Sequence, residues 1–351
     1  MEIALAIVSI LLIVCVFLSL IKNDFWIYKL LEYPRLQKLL IIFVVTACWF
    51  FVWPPEGIFY NVVFGALVLS IFYLLYKIWP YTTLAKKEMV RVRSTDKKKE
   101  VKIFSANVLQ ENKQYDSMLQ QIRSNDPDLV FLVETNAEWD HATRELKKDY
   151  PHNLLLPLEN TYGLLFYSRL PLENATINFL VKKDLPSIEA TIVLPSGEKI
   201  KIWGLHPEPP VPGESLYSTA KDKELMKVAL KAKMCELPCI VFGDLNDVAW
   251  SHTTELFRKT SELLDPRRGR GFYNTFSAHH WFIRYPLDYI FCSKHFSLIN
   301  MQRMPKNGSD HFATLTHIAL RTDLQSVQDP PKADNDEMAE AHELANQPVK
   351  E

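Results

Sequence analysis

Two uncharged apolar stretches near the start of the chain limit what it can fold into: Ile3 to Ile21, 19 residues, and Gly57 to Tyr76, 20 residues. A helix rises about 1.5 Å per residue, so each is long enough for a hydrocarbon layer of roughly 30 Å. A third run, Leu39 to Pro55, is shorter. It crosses if the bilayer thins and Lys38 snorkels, or it re-enters the same face. The first run has neither the basic flank before it nor the small-residue site after it that marks a cleaved signal peptide. Residues 1–80 are therefore expected to hold two or three transmembrane helices, at about 3–21, 39–55 and 57–76. Trp49, Trp53, Tyr60, Trp79 and Tyr81 lie near run ends, where interfacial aromatics belong.

Charge sets the expected orientation. Lys22, Lys29, Arg35 and Lys38 follow the first run, whereas the Pro54-Pro55-Glu56 turn has no basic residue. The positive-inside rule then puts everything after the third run in the cytoplasm, given three crossings. The expectation is a multi-pass protein of a bacterial inner membrane. Residues 81–100 form a basic linker, since Lys86 to Lys102 holds eight basic residues against three acidic. Such a segment is expected to lie on anionic headgroups, at about 1 kcal/mol per basic residue. The five cysteines show no disulfide spacing, and Cys235 and Cys239 read as a reduced structural pair rather than half a zinc site.

From residue 101 to 322 short β-branched and aromatic runs alternate with amphipathic ones. Leu129 to Val133 and Cys239 to Phe242 are apolar throughout, as strands buried on both faces are. Pro195-Ser196-Gly197-Glu198 between two alternating segments signals a hairpin. Many strands and few helices predict an α+β sandwich, two packed sheets with helices outside. Residues 323–351 carry eight acidic and two basic residues with Pro330, Pro331 and Pro348, and are expected to be disordered.

The chemistry lies in polar residues that end the apolar runs. Asn107, Glu134 and His206 each follow a strand-like segment. Asp244 and Asn246 stand two apart, so on extended backbone both point to one side. Asp288 lies inside a strand pattern and needs a partner, for which His311 is the natural choice. Such a carboxylate fixes the imidazole tautomer and supports its charge. Taken singly, each is an ordinary strand-end residue. Together they form an oxygen-rich set with histidine, suited to Mg2+ or Mn2+ rather than tetrahedral zinc. That set fits attack of water on phosphorus, with Asp244 orienting or deprotonating the water or protonating the leaving oxygen.

These pieces, Ala106-Asn107-Val108, Val133-Glu134-Thr135, Leu205-His206, Gly243-Asp244-Leu245-Asn246-Asp247, Leu287-Asp288-Tyr289 and Ser309-Asp310-His311, run in the order seen in one superfamily. From Val101 to about Thr314 the chain resembles the endonuclease/exonuclease/phosphatase superfamily, which includes DNase I-like nucleases, neutral sphingomyelinases and inositol-polyphosphate phosphatases. The resemblance implies a DNase I-like four-layer α/β/β/α sandwich and divalent-metal phosphoesterase activity. It implies that Glu134 binds the metal, with Asn107 and Asp310 holding it or its water. It gives Asp244 and Asn246 roles on nucleophile and phosphate, His206 a phosphate contact, and Asp288 a pairing with His311. Leu109 stands where some nucleases of the family have an aspartate, which argues against DNA repair.

Residues 103–322 hold 25 Lys and Arg against 26 Asp and Glu, without the basic footprint of a strong nucleic-acid binder. One exception is Arg267-Arg268-Gly269-Arg270, beside Phe272 and Tyr273, read as a phosphate or base clamp. The expected function is a membrane-anchored hydrolase of a phosphodiester, either nucleic acid or a phospholipid headgroup, with membrane lipid as a partner. A phosphomonoesterase acting on small or inositol-like phosphates, and a non-catalytic membrane scaffold, are the alternatives.

Overall fold

The computed structural model describes residues 2–350. Its first elements are α1 (Glu2–Leu18), α2 (Trp26–Leu30), α3 (Arg35–Phe51) and α4 (Gly57–Ile78). One helix among the described residues is long and apolar enough to cross a membrane: α4 with its following turn, Gly57–Tyr81, 25 residues. This corrects the expected two or three. α1 and α3 have 17 residues each, roughly 26 Å at 1.5 Å per residue. α1 stops where Ser19 Oγ donates back to the Val16 carbonyl at 2.7 Å. Pro34 caps α3, so Arg35 and Lys38 fall in its first turn. The three long helices pack together, with Trp49 Nε1 donating to Ser9 Oγ at 3.0 Å, and they turn Phe43, Ile58 and Phe72 outward.

The rest of the chain follows in the order β1 (Glu100–Asn107), α5 (Tyr115–Asn125), β2 (Leu129–Val133), α6 (Ala137–Thr143), β3 (His152–Leu156), β4 (Leu164–Ser168), β5 (Leu172–Asn178), β6 (Ser187–Val193) and β7 (Lys199–Leu205). After these come α7 (Thr219–Lys233), β8 (Cys239–Asp244), α8 (His252–Ser261), β9 (Asp288–Cys292), β10 (Phe296–Arg303), β11 (Thr314–Leu320) and α9 (Asn335–Asn346). The strands form two mixed sheets, ordered β10-β11-β1-β2-β4-β3 and β5-β6-β7-β8-β9. Among these strands, in the described residues, β1–β2 and β7–β8 are the parallel pairs. The sheets meet through Ile103, Phe131 and Phe166 on one side and Ile202, Ile240 and Phe242 on the other. α5 and α6 cover the outside of the first sheet, and α7 and α8 that of the second. β2 is apolar along its whole length because both of its faces are covered.

Two expectations for the flanks fail. The basic segment is docked rather than a free linker. Val92 N–H donates to the Leu298 carbonyl and Leu298 N–H to that of Val90, at 2.9 and 2.8 Å, adding an edge to β10. Met89 is fully buried, and Glu88 pairs with Arg258 and Arg268. Arg91 and Arg93 turn outward while Val90 and Val92 are partly buried, so residues 88–92 are docked although the segment is charged in composition. The acidic tail is ordered where α9 forms. An Asp334–Glu337 capping box starts that helix, and Ala341 and Ala345 are buried against α7 and α8. Its acidic residues find cations, Glu337 on Lys259 and Glu340 on His252 and Lys22, which offsets their repulsion.

Candidate active site

Topology explains why distant residues meet. The two parallel pairs end at one edge of the sandwich, which gathers Asn107, Glu134, His206 and Asp244. The antiparallel neighbours start at that edge. Asp288 opens β9 directly opposite Asp244, and the loop Ser309–His311 leads into β11 beside β1.

Asn107 is the hub. Its Nδ2 donates to Glu134 Oε1 at 2.5 Å and to Asp244 Oδ2 at 3.1 Å, while its Oδ1 accepts from Leu109 N–H. Asp244 Oδ1 accepts from Asn246 N–H at 2.9 Å, and Asn246 Nδ2 donates to the Pro207 carbonyl. His311 Nδ1 lies 2.8 Å from Asp288 Oδ2, and its Nε2 lies 3.6 Å from Asp244 Oδ2. The expected Asp288–His311 pair is therefore formed, and it extends to Asp244. Asp310 sits beside it with a weaker contact from Ser309 Oγ at 3.5 Å.

The electrostatics differ from residue to residue. Burial opposes charge on His311, yet Asp244 and Asp288 outweigh it and raise its pKa well above the usual imidazole value. His311 is thus an imidazolium between two carboxylates. His206 is the reverse case. Burial, then the charge on His311, lowers its pKa to about 3, so it is neutral, and neither ring nitrogen has a hydrogen-bond partner. Glu134 keeps about 20% of its side chain exposed. Its confined setting still pushes its pKa up to about 7, against the hydrogen bond from Asn107. The nearest imidazole, that of neutral His206, is 3.9 Å away. Burial likewise raises Asp244, while the facing imidazolium pulls it down.

The donor set fits a hard divalent cation. One nitrogen or oxygen atom each from Asp244, Asp288 and His311 lies within 4.8 Å of the others, but the His311 imidazolium has no lone pair for an ion and acts as a donor beside it. His311 Nδ1 is already committed to Asp288, so oxygen atoms are the freer ligands. Glu134 is an enclosed carboxylate that makes no salt bridge to Lys or Arg among the described residues, and Asn107 Nδ2 links it to the Asp244 carboxylate.

The arginine cluster is elsewhere, which corrects its reading as a clamp. Arg267 is fully buried, forked onto Asp265 and stacked 3.9 Å from the Tyr289 ring centroid. Arg268 pairs with Glu255 and Glu88. Arg270 donates to the Met89 and Pro266 carbonyls. Of its partners only Glu88 is remote in sequence; Asp265 lies two residues from Arg267, and Glu255 lies on the preceding helix. Other site residues went unseen. Thr275 Oγ1 accepts from the N–H groups of Leu287 and Asp288, and the Phe276 ring packs on His311 at 5.1 Å. Ser309 Oγ accepts from His311 N–H and donates to the Asn107 carbonyl, a role its place beside Asp310 and His311 could have signalled. Tyr162 stacks near His206, and Tyr33 donates to the Asn246 carbonyl at 2.7 Å. No local pattern marks Tyr33, and Tyr162 is marked only by standing directly before Gly163, which assigned it no role.

The model of the endonuclease/exonuclease/phosphatase family matches residues 103–311. Among solved structures, the human Nocturnin catalytic domain with bound sulfate anion is 19% identical, at a TM-score of 0.51, covering 66% of this chain and 96% of that one. D. rerio TDP2 complexed with single strand DNA product is 16% identical, at a TM-score of 0.53, covering 62% and 98%. An endonuclease/exonuclease/phosphatase from Bacteroides vulgatus is 16% identical, at a TM-score of 0.51, covering 63% and 99%. At these identities the likeness is one of fold. A search of curated protein sequences finds no significant match.

Proposed function

Because the chain belongs to the endonuclease/exonuclease/phosphatase family, whose members are metal-dependent phosphoester hydrolases, we propose that it hydrolyses a phosphodiester at a membrane surface. The observation that carries this reading is the buried Asp288–His311–Asp244 chain facing the unpartnered His206. A cationic imidazole and a neutral one on the same edge both offer N–H groups to a phosphoryl oxygen. Glu134, with Asn107 and Asp310, would hold Mg2+ or Mn2+. That ion, when bound, polarises the phosphoryl group and offsets its charge.

The residues divide the remaining work. Asp288 locks the His311 tautomer and keeps the ring charged, so Nε2–H stabilises developing negative charge. Asp244, with Asn107 on one oxygen and Asn246 N–H on the other, is oriented to accept a proton from water. Asn246 Nδ2 donates to the Pro207 carbonyl, which holds that loop, and the same residue would serve the phosphate. A sulfate on Nocturnin and a DNA product on TDP2 support an anion site on this fold.

The membrane reading rests on α4 as the crossing helix and on the apolar faces that α1 and α3 expose beside it, among them Ile7, Leu11, Phe43 and Phe51. Exposed Lys86, Lys87, Arg91 and Arg93 support a catalytic domain on the cytoplasmic side of a bacterial inner membrane. The test is hydrolysis by the full chain in nanodiscs with Mg2+, against plasmid DNA, RNA, sphingomyelin and inositol phosphates. Asp244→Ala and His311→Ala are each expected to slow turnover at least about a thousandfold. Wild-type rates in either variant, or no metal-dependent hydrolysis of any ester, refute the reading.

A further inference from the structure

One large cavity takes no part in the catalytic cluster. It holds about 960 Å³ between the first turns of α3 and the segment from Arg270 to Arg284. Leu36, Leu40 and Ile41 form one wall, and Phe272, Trp281 and Phe282 the other. Gln37 Nε2 donates to the Phe282 carbonyl at 2.8 Å and ties the walls together. The lining is unusually open to its surroundings: Trp281 is 79% exposed, Leu40 60% and Phe282 54%. An apolar patch of this kind marks a binding surface.

The polar end of the cavity carries Arg284 and Arg303. Their guanidinium carbons lie 5.3 and 4.2 Å from the centroid of the Phe312 ring. Arg303 donates to the Asn274 carbonyl, and Arg284 Nε is buried without a hydrogen-bond partner. Among the described residues neither makes a salt bridge. Burial, then the charge of Arg284, lowers the pKa of Arg303. Two guanidiniums sharing one ring and no carboxylate are a site waiting for an anion. Arg270 adds charge at the same end, although its donors are spent on backbone.

We propose that this cavity binds an anionic membrane phospholipid, its phosphate held by Arg284 and Arg303 and its acyl chain laid along Leu36, Leu40 and Ile41. Two observations select this occupant. The cationic end complements a phosphate, and the apolar wall continues along α3 into the outward-facing Phe43 and Val44, 64% and 60% exposed. A soluble phosphate ester leaves the apolar walls unused, and an apolar peptide leaves the arginines unpaired. The lipid is a bound ligand here, since none of the cavity residues belongs to the catalytic set. The inference shares the membrane setting with the proposed function but not its hydrolytic chemistry.

The test uses the full chain reconstituted in nanodiscs that contain phosphatidylcholine with a minor fraction of phosphatidylglycerol, followed by release into detergent and native mass spectrometry. The wild type is expected to retain phosphatidylglycerol at least about fivefold over phosphatidylcholine. The R284A/R303A double variant is expected to lose that preference. Leu40→Trp, at an exposed helix position, fills the groove and is expected to cut retention of the lipid about fivefold at an unchanged melting temperature. Equal retention of phosphatidylglycerol by wild type and both variants overturns the proposal. So does an equal preference for the two lipids in the wild type. Either failure leaves metal-dependent hydrolysis untouched, and loss of hydrolysis leaves the lipid measurement untouched.

Discussion

Glu224, on the inner face of α7, is 1% exposed and its Oε1 has no partner. Burial raises its pKa from 4.5 to about 8, with Lys227 pulling weakly the other way. The unfolded chain loses this proton above about 4.5 and the folded chain only above about 8. Between those values the folded state binds more protons, so its stability falls as pH rises. Glu224→Gln removes that titration. Its melting temperature is expected to exceed that of the wild type by at least about 2 °C at pH 8.5 and to match it near pH 4.5. An equal shift at both values would assign the effect to packing instead. Single residues also mark the limit of what the sequence discloses. The Asp288–His311 pair was legible because an acid inside a strand needs a partner. Glu134 and Asn246 were legible as polar strand ends, but not their left-handed backbone, with φ of 58° and 50°. Such strained positions accompany functional sites, and they arise from the turns that carry the chain across the sandwich edge.

At the scale of elements, α2 and the Tyr33–Pro34 turn lie by sequence between apolar runs, yet they dock on the loop that leaves β8. Tyr33 Oη donates to the Asn246 carbonyl at 2.7 Å, Trp250 Nε1 to the Glu32 carbonyl at 2.8 Å, and Arg35 Nη1 to the Trp250 carbonyl at 2.6 Å. These bonds fix residues 244–252 from outside the catalytic fold. Tyr33→Phe removes one bond to the peptide beside Asp244 at a stability cost of about 1 kcal/mol. It is expected to lower kcat about tenfold with KM within about twofold, because a shifted loop misplaces Asp244 and Asn246 without touching substrate. An unchanged kcat in steady-state assays would show that the loop holds itself. The strands of this half were legible from their β-branched runs. The docking of residues 22–35 and 86–98 was not, since it depends on partners such as Leu298 and Trp250 two hundred residues away.

For the whole molecule the decisive fact is that one apolar core crosses the boundary between the helices and the sandwich. Ile42, Trp49, Leu67, Leu74 and Ile78 belong to the same cluster as Leu245, Val248, Trp250 and Leu256. Tyr81 closes the seam. It is 1% exposed, donates to the Ala249 carbonyl at 2.6 Å, and packs edge-on against Trp250. Glu88 completes the same patch by pairing with Arg258 and Arg268, and burial raises its pKa to about 7 despite those cations. Cutting the chain at residue 99 removes Tyr81 and Glu88 together. It leaves Trp250 and Ala249 facing water, and Arg258 and Arg268 sharing only Glu255. Losing one buried aromatic costs about 3–5 kcal/mol, and a stranded buried charge costs more. A fragment of residues 99–351, which keeps α9, is therefore expected to melt at least about 10 °C below the full chain in detergent and to bind an apolar dye such as ANS. If the fragment melts at the temperature of the full chain and binds no dye, the sandwich is complete alone and the seam is a passive contact. If it melts early, the N-terminal helices are part of the folded enzyme, and residues that hold those helices in place also hold the loop that carries Asp244.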